Sequence, residues 1–202
     1  MSEEKEKIPE EANKMAEEHF SHKHKEDSWW DIAKFALTVI AIILPIRFYV
    51  IQPFMVSGPS MVPTFEDKDY LLVDEISYHF QRPARGEIIV FWRGEEKKYL
   101  IKRIVGLPGE TIILDGENVT VINTEHPEGL LLDQSYIHNK VQMQKQTYTL
   151  DDSHYFVLGD NRSVSYDSRG WGALPADEIV GRPIFRLYPF NMITVWPGEH
   201  LL

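Results

Sequence analysis

The chain has 202 residues, 43% of them hydrophobic and 26% charged, a globular mixture that excludes a disordered or fibrous protein. Twenty-one Lys and Arg against 31 Asp and Glu leave a net charge of -10, which repels nucleic-acid backbones at long range and argues against nucleic acid as a partner. There is no cysteine, so disulfides, thiol nucleophiles and Cys-ligated metals are excluded, while the redox compartment stays open.

Residues 1–28 are mostly Glu, Lys, His and small polar residues, with too little apolar surface to offset the entropy of ordering them, and are read as a mobile tail. His22 and His24 lie in this Lys-rich setting and are read as solvated, not as metal ligands.

The next segment, 29–52, is the one stretch of membrane length. From Phe35 to Val62 the only charged residue is Arg47. A bilayer core of ~30 Å needs ~20 helical residues, and the uncharged run Phe35–Ile46 supplies 12. The shortfall closes if Lys34 and Arg47 extend their charges to the two interfaces, with Trp29, Trp30 and Tyr49 as an aromatic belt. The expectation is a single-pass transmembrane helix over 29–52. Lys14, Lys23, Lys25 and Lys34 precede or open the span, whereas the next basic residue after Arg47 is Lys68. That asymmetry puts the tail in the cytoplasm and the body outside.

The body, 53–202, alternates β-rich runs (Tyr70–Tyr78, Glu87–Trp92, Tyr99–Gly106, Thr111–Gly116, Val119–Ile122, Tyr155–Asp160, Ile179–Pro189, Ile193–Trp196) with turns such as Leu107-Pro108-Gly109 and Asp115-Gly116. The expected fold is mainly β, with curled antiparallel sheets forming a barrel-like extracytoplasmic domain behind one N-terminal transmembrane helix.

Two places in the body depart from local rules, and a third segment is unusually polar. In Val56–Thr64, Ser60 stands between Pro59 and Pro63, which restrict the backbone on both sides; the segment fits either a rigidly presented hydroxyl or a connector leaving the bilayer. In Tyr99–Val105 two cations, Lys102 and Arg103, interrupt an apolar strand, and alternation alone does not choose which faces inward. Arg stays protonated in proteins, so only Lys102 has the chemistry of a base. Moving its pKa from ~10.4 to the ~7–8 useful for general-base work takes ~4 kcal/mol, within what burial between Leu100 and Ile104 supplies. The competing reading is a lysine extending from an edge strand. The third segment, Tyr155–Gly172, is a strand followed by a loop dense in Asp, Asn, Arg and Ser, residues that serve as turn formers and ion pairs or fold over a site. A serine beside a neutral lysine is a way of activating a hydroxyl without histidine. His79, His138 and His154 sit in no motif that aims them at Ser60.

Together these blocks resemble the bacterial type I signal peptidases, membrane-anchored Ser-Lys endopeptidases, with the Gram-positive members most alike in tail and span. The resemblance runs from about Trp30 to Trp196 and is carried by Ser60-Met61-Val62-Pro63-Thr64, by Lys102 to Glu110, and by Gly159-Asp160-Asn161-Arg162 followed by Ser165, Asp167, Ser168 and Arg169. It implies a LexA-like β-fold, Ser60 as nucleophile, Lys102 as general base, Ser165 hydrogen-bonded to the lysine amine, and an Asp167–Arg169 ion pair bracing the loop. It further implies removal of signal peptides from secreted preproteins at a bacterial plasma membrane, with no cofactor or metal and small substrate residues at positions -1 and -3. Phe54, Val56 and Gly58 are the expected substrate-binding residues, Phe54 and Val56 lining pockets beside an added substrate strand. Some members carry a serine at the position of Gly58 that helps form the oxyanion hole; here the Ser60 N–H remains a donor and Ser57 is a neighbouring candidate. The alternative from another class is a catalytically inert, membrane-tethered β-domain that binds extended peptides. Oligomeric state is not legible.

Overall fold

The computed structural model describes residues 29–44, 51–137 and 139–198, which fall into two units dividing after Arg47. In the first, a helix α1 covers 29–44, its apolar side chains Trp29, Trp30, Phe35, Leu37, Ile40, Ile43 and Leu44 all exposed. At 1.5 Å per residue it is about 24 Å long. No helix among the described residues is long and apolar enough to cross a membrane. Of the expected span, 45–50 lie outside the described residues, and Ile51 and Gln52 belong to a strand instead. The tail 1–28 is likewise outside them.

The second unit is mainly β. In chain order its elements are β1 (Ile51–Met55), β2 (Tyr70–Asp74), β3 (Ile88–Arg93), β4 (Lys98–Gly106), β5 (Thr111–Gly116), β6 (Asn118–Ile122), β7 (Leu130–Leu131), β8 (Met143–Thr149), β9 (His154–Leu158), a one-turn helix α2 (Ser168–Trp171), β10 (Leu174–Pro175), β11 (Ile179–Tyr188) and β12 (Thr194–Val195). The larger sheet has the order β1-β2-β11-β3-β4-β9-β10, with β12 added to β11, and the smaller one β7-β6-β5-β8. Every pairing is antiparallel.

Neither sheet closes as a barrel, which corrects the expected barrel-like shape. β1 pairs with β2 and β10 with β9, and these two ends of the large sheet do not meet. Alternating patterns specify faces and registers, not closure, which depends on tilt and stagger summed over all strands. Bulges in β11 and β4 shift register at Pro183/Phe185 and Ile104/Gly106, bending the sheet where the site is built.

β4 is apolar on both sides because it is sandwiched. Leu100 and Ile104 join a cluster with Ile89, Phe91, Tyr155, Val157 and Leu174, while Ile101 packs against Val56, Met61, Phe65, Leu71 and Ile88. A third cluster, around Val105, Ile112, Leu114, Val121 and Phe156, joins the small sheet to the large one. The two motif cations therefore sit in the interior, not on an edge: Lys102 is 3% exposed and Arg103 is fully buried.

Candidate active site

Ser60 follows β1 through a connector whose geometry its sequence requires. Gly58 has φ +86°, a left-handed value that costs glycine little, and its N–H donates to Asp67 Oδ1 at 2.8 Å. Val56 N–H to Asp69 O and Lys68 N–H to Val56 O, both 2.9 Å, tie the connector to the chain entering β2. Beyond Ser60 the chain coils at once, with Val62 N–H bonding Pro59 O (3.2 Å) and Phe65 N–H bonding Met61 O (3.0 Å). Met61 and Phe65 are completely buried, which fixes the turn while leaving Ser60 half-exposed at a cleft.

Lys102 comes from β4, opposite Ile89 of β3. Its Nζ lies 2.8 Å from Ser60 Oγ and donates to the Ile101 carbonyl at 2.8 Å. Burial pushes the lysine pKa down to about 8, against a smaller upward pull from the Asp167 carboxylate. An amine with a partner for one N–H and a hydroxyl at its lone pair is arranged to take the hydroxyl's proton.

Arg103, one residue on, does the opposite job. Its Nε and Nη2 donate to the two oxygens of Asp160 at 2.9 and 2.7 Å, and its Nη1 donates to the carbonyls of Gly86 and Gly198, both at 2.7 Å. The guanidinium lies over the Tyr136 ring at 4.5 Å. Asp160 Oδ2 also accepts from Thr64 Oγ1 at 2.5 Å, so one carboxylate joins β4, the 159–170 loop and the turn that carries Ser60.

The loop is held from within by Asp167, which accepts from Gly159 N–H (3.0 Å) and from Nε and Nη2 of Arg169 (2.7 and 2.8 Å). Asp167 also caps α2, and Ser168 Oγ accepts from Val157 N–H at 3.0 Å. The expected Asp167–Arg169 contact is thus present in the geometry. The expected Ser165 contact is not: its buried Oγ has no hydrogen-bond partner among the described residues. It is packed against Gly159, where a Cβ would stand 2.2 Å from Ser165 Oγ and 2.5 Å from the Ser60 carbonyl oxygen. Packing over a glycine, invisible to spacing, sets that hydroxyl's direction.

A cleft of about 80 Å³ opens beside the pair, lined by Phe54, Val56, Ser57, Ser60, Leu71, Val90 and residues 99–102. Of the three residues expected to bind substrate, Phe54 and Val56 line the cleft; Gly58 does not, and its N–H is committed to Asp67. Tyr99 lines the cleft too, stacked edge-on with Phe54 (5.1 Å) and Trp92 (4.8 Å). His79 contacts the Glu75 carbonyl and His154 contacts Asp151, neither bonding Ser60, and His138 lies outside the described residues.

A family model described as signal peptidase, peptidase S26, matches residues 29–188, spanning both sequence blocks that meet at this cleft. The chain belongs to the S26 signal peptidase family. A signal peptidase I from Leptolyngbya laminosa is 38% identical over 162 residues, 76% of this chain and 77% of its own length. A probable signal peptidase I-2 from Synechocystis sp. is 35% identical, covering 81% of this chain and 75% of its own. A signal peptidase I from Bacillus amyloliquefaciens is 30% identical, covering 85% and 91%. A crystal structure of a signal peptidase I from Enterococcus faecalis V583 superposes on 50% of this chain and 97% of its own with a TM-score of 0.43 and 28% identity.

Three residues of this signal peptidase site escaped sequence reading in their roles: Asp67, Thr64 and Asn161. Each acts on a main-chain or carboxylate partner far along the chain or across a turn; the only signal for Thr64 and Asn161 is membership in the Ser60 and Gly159 blocks, and Asp67 has none.

Proposed function

We propose that the chain removes signal peptides from exported preproteins, with Ser60 as nucleophile and Lys102 as general base. The observation that carries this reading is the 2.8 Å approach of Lys102 Nζ to Ser60 Oγ at a solvent-open cleft. With the lysine pKa near 8, about one amine in ten is neutral at pH 7, against fewer than one in a thousand for a free lysine.

The neutral amine accepts the Ser60 proton as Oγ attacks the carbonyl carbon of the -1 residue. Negative charge collects on the carbonyl oxygen, toward the Ser60 N–H. The ammonium then returns its proton to the leaving nitrogen of the mature chain, giving an acyl-enzyme. Water, deprotonated by the same amine, releases the signal peptide. A cleft of about 80 Å³ holds two or three water volumes, a size suited to small substrate side chains. Phe54 and Val56 form its wall, and an extended substrate lies alongside β1 and β4. Asp167 and Arg169 brace the loop behind the pair.

The same reading assigns 1–28 to a cytoplasmic tail, 29–50 to a membrane anchor that stops short of β1, and 51–202 to an extracytoplasmic catalytic domain at a bacterial plasma membrane. It is supported by the apolar surface of α1 and by the basic residues that precede it. Sharing a bilayer with a tethered preprotein raises the effective concentration of the cleavage site.

An inert peptide-binding module has no use for a buried amine whose desolvation works against stability. The deciding experiment incubates the purified full chain in detergent with a labelled preprotein bearing Ala-x-Ala and maps the cut. Cleavage after the second Ala, lost in both Ser60→Ala and Lys102→Met, supports the reading; cleavage that survives in either variant overturns it.

A further inference from the structure

The connector leading to Ser60 has few backbone donors to spare for a developing oxyanion. Gly58 N–H is bonded to Asp67 and Pro59 has none, so within 58–60 the Ser60 N–H is left. We infer that Asn161 is the positioning residue that aims this N–H. The inference rests on Ser60 being the nucleophile, as proposed above.

Asn161 is 7% exposed and holds both carbonyls that flank Ser60. Its Nδ2 donates to the Pro59 oxygen at 3.1 Å and its backbone N–H donates to the Ser60 oxygen at 3.0 Å. A carbonyl only accepts, so the amide nitrogen faces Pro59; the other end of the amide, Oδ1, accepts from Ser163 Oγ at 3.0 Å and from Asn139 Nδ2 at 3.3 Å. Those bonds fix the amide's orientation.

The Pro59–Ser60 peptide is trans, as its absence from the two cis bonds requires. In a planar trans peptide the C=O and the N–H of the next residue point in opposite directions. Pinning the Pro59 oxygen toward Asn161 therefore directs the Ser60 N–H away from the loop. Val62 N–H also donates to the Pro59 oxygen, at 3.2 Å, so two donors hold that oxygen. The second bond, to the Ser60 oxygen, stops the following peptide from rotating. Gly159 permits this close seating, because a side chain there would collide with the Ser60 oxygen at 2.5 Å.

A donor misaimed by a fraction of an ångström still binds a ground-state carbonyl but stabilises the oxyanion less. The test compares the full-length protein with Asn161→Ala and with the near-isosteric Asn161→Asp, which places an acceptor against the Pro59 oxygen. Steady-state cleavage of an Ala-x-Ala preprotein, its pH profile, and inhibition by a peptide boronic acid that forms a tetrahedral adduct on serine are measured for each. The expected result is a fall in kcat, read on the pH plateau, of about 10–100-fold, KM within about two-fold, an equal loss of boronate affinity and, in the uncharged Asn161→Ala, an unmoved pH midpoint. Asn161→Asp carries the test if the alanine variant does not fold. Full plateau kcat in Asn161→Asp, a change confined to KM, or a pH midpoint that moves with kcat in Asn161→Ala overturns the inference, the last because it routes the effect through Lys102. A Ser60→Ala control separates the two levels: cleavage surviving there defeats the nucleophile assignment itself, whereas an inactive Ser60→Ala beside a fully active Asn161→Asp defeats this inference alone.

Discussion

Asp160 grips Arg103 through both carboxylate oxygens, at 2.9 and 2.7 Å, with neither side chain exposed to solvent. Arg103 directly follows Lys102 in β4 and Asp160 directly follows Gly159, so this pair ties the strand from which Lys102 reaches out to the 159–170 loop. Breaking a buried pair by removing one partner strands the other charge. Asp160→Asn or Arg103→Leu is expected to cost about 3–5 kcal/mol of unfolding free energy, measured by urea denaturation. A loss under about 1 kcal/mol would contradict a fully desolvated pair.

Lys102→Met should inactivate the protein and stabilise it. The folded-state pKa, about 8, lies below the ordinary lysine value of 10.5. The unfolded chain thus takes up a proton before the folded one as pH falls, and stability that is full above about 10.5 is lost down to about 8. The difference is worth about 3 kcal/mol below that window, offset in part by the lost bond to the Ile101 carbonyl. A gain of about 1–3 kcal/mol is expected at neutral pH, shrinking toward zero as pH approaches 10.5. Thermal melts of both proteins at several pH values check it, and a wild type more stable at neutral pH would refute it.

Cleavage rate should rise about tenfold per pH unit below about 8 and level off above it, because only the neutral amine accepts the serine proton. Lys102→Arg should be inactive across the range, since a guanidinium does not give up its proton. A flat profile between pH 6 and 8 in kcat/KM would remove Lys102 from the base role.

Gly159→Ala should abolish cleavage although the substitution adds only one methyl. The new Cβ would stand 2.2 Å from Ser165 Oγ and 2.5 Å from the Ser60 oxygen, and the second of these is backbone. The turn that carries Ser60 has to move, by enough to cost about 100-fold in rate. Kinetics on the folded variant decide: retention of more than half the wild-type kcat would show that the turn has slack.

Widening the cleft should relax selectivity. Val56 is buried and Phe54 half-buried along its wall, so Phe54→Ala is expected to raise cleavage of preproteins with Leu or Val at -3 relative to Ala. A methylene-scale change in an apolar pocket is worth about 1–3 kcal/mol of discrimination. Competition between the two substrates, read as a ratio of kcat/KM, measures it; an unchanged ratio would place the specificity wall elsewhere.

The β-class of the body was readable because β-branched and aromatic runs alternate with turn residues, a local property of the chain. So was the proposed reactive pair: a serine fixed between prolines and a cation set in an apolar strand are anomalies visible without neighbours. Sheet closure was not readable, because whether β1 meets β10 depends on accumulated twist and stagger. The end of the N-terminal apolar run was also misjudged. Ile51 and Gln52 pair with Asp74 and Val73 in β1, a partnership no hydropathy window registers.

By itself, the sequence offered candidate groups: a serine between two prolines, a lysine in an apolar strand with an arginine beside it, and a polar loop carrying Asp and Arg in equal number. Tertiary structure decided which of them met. Lys102 approaches Ser60 across 42 residues of chain, while Ser165, expected at the amine, turns its hydroxyl toward Gly159. Residue type fixes what a group can do, but a proton moves over about 3 Å, and distances of that order are set by packing among strands far apart in the chain.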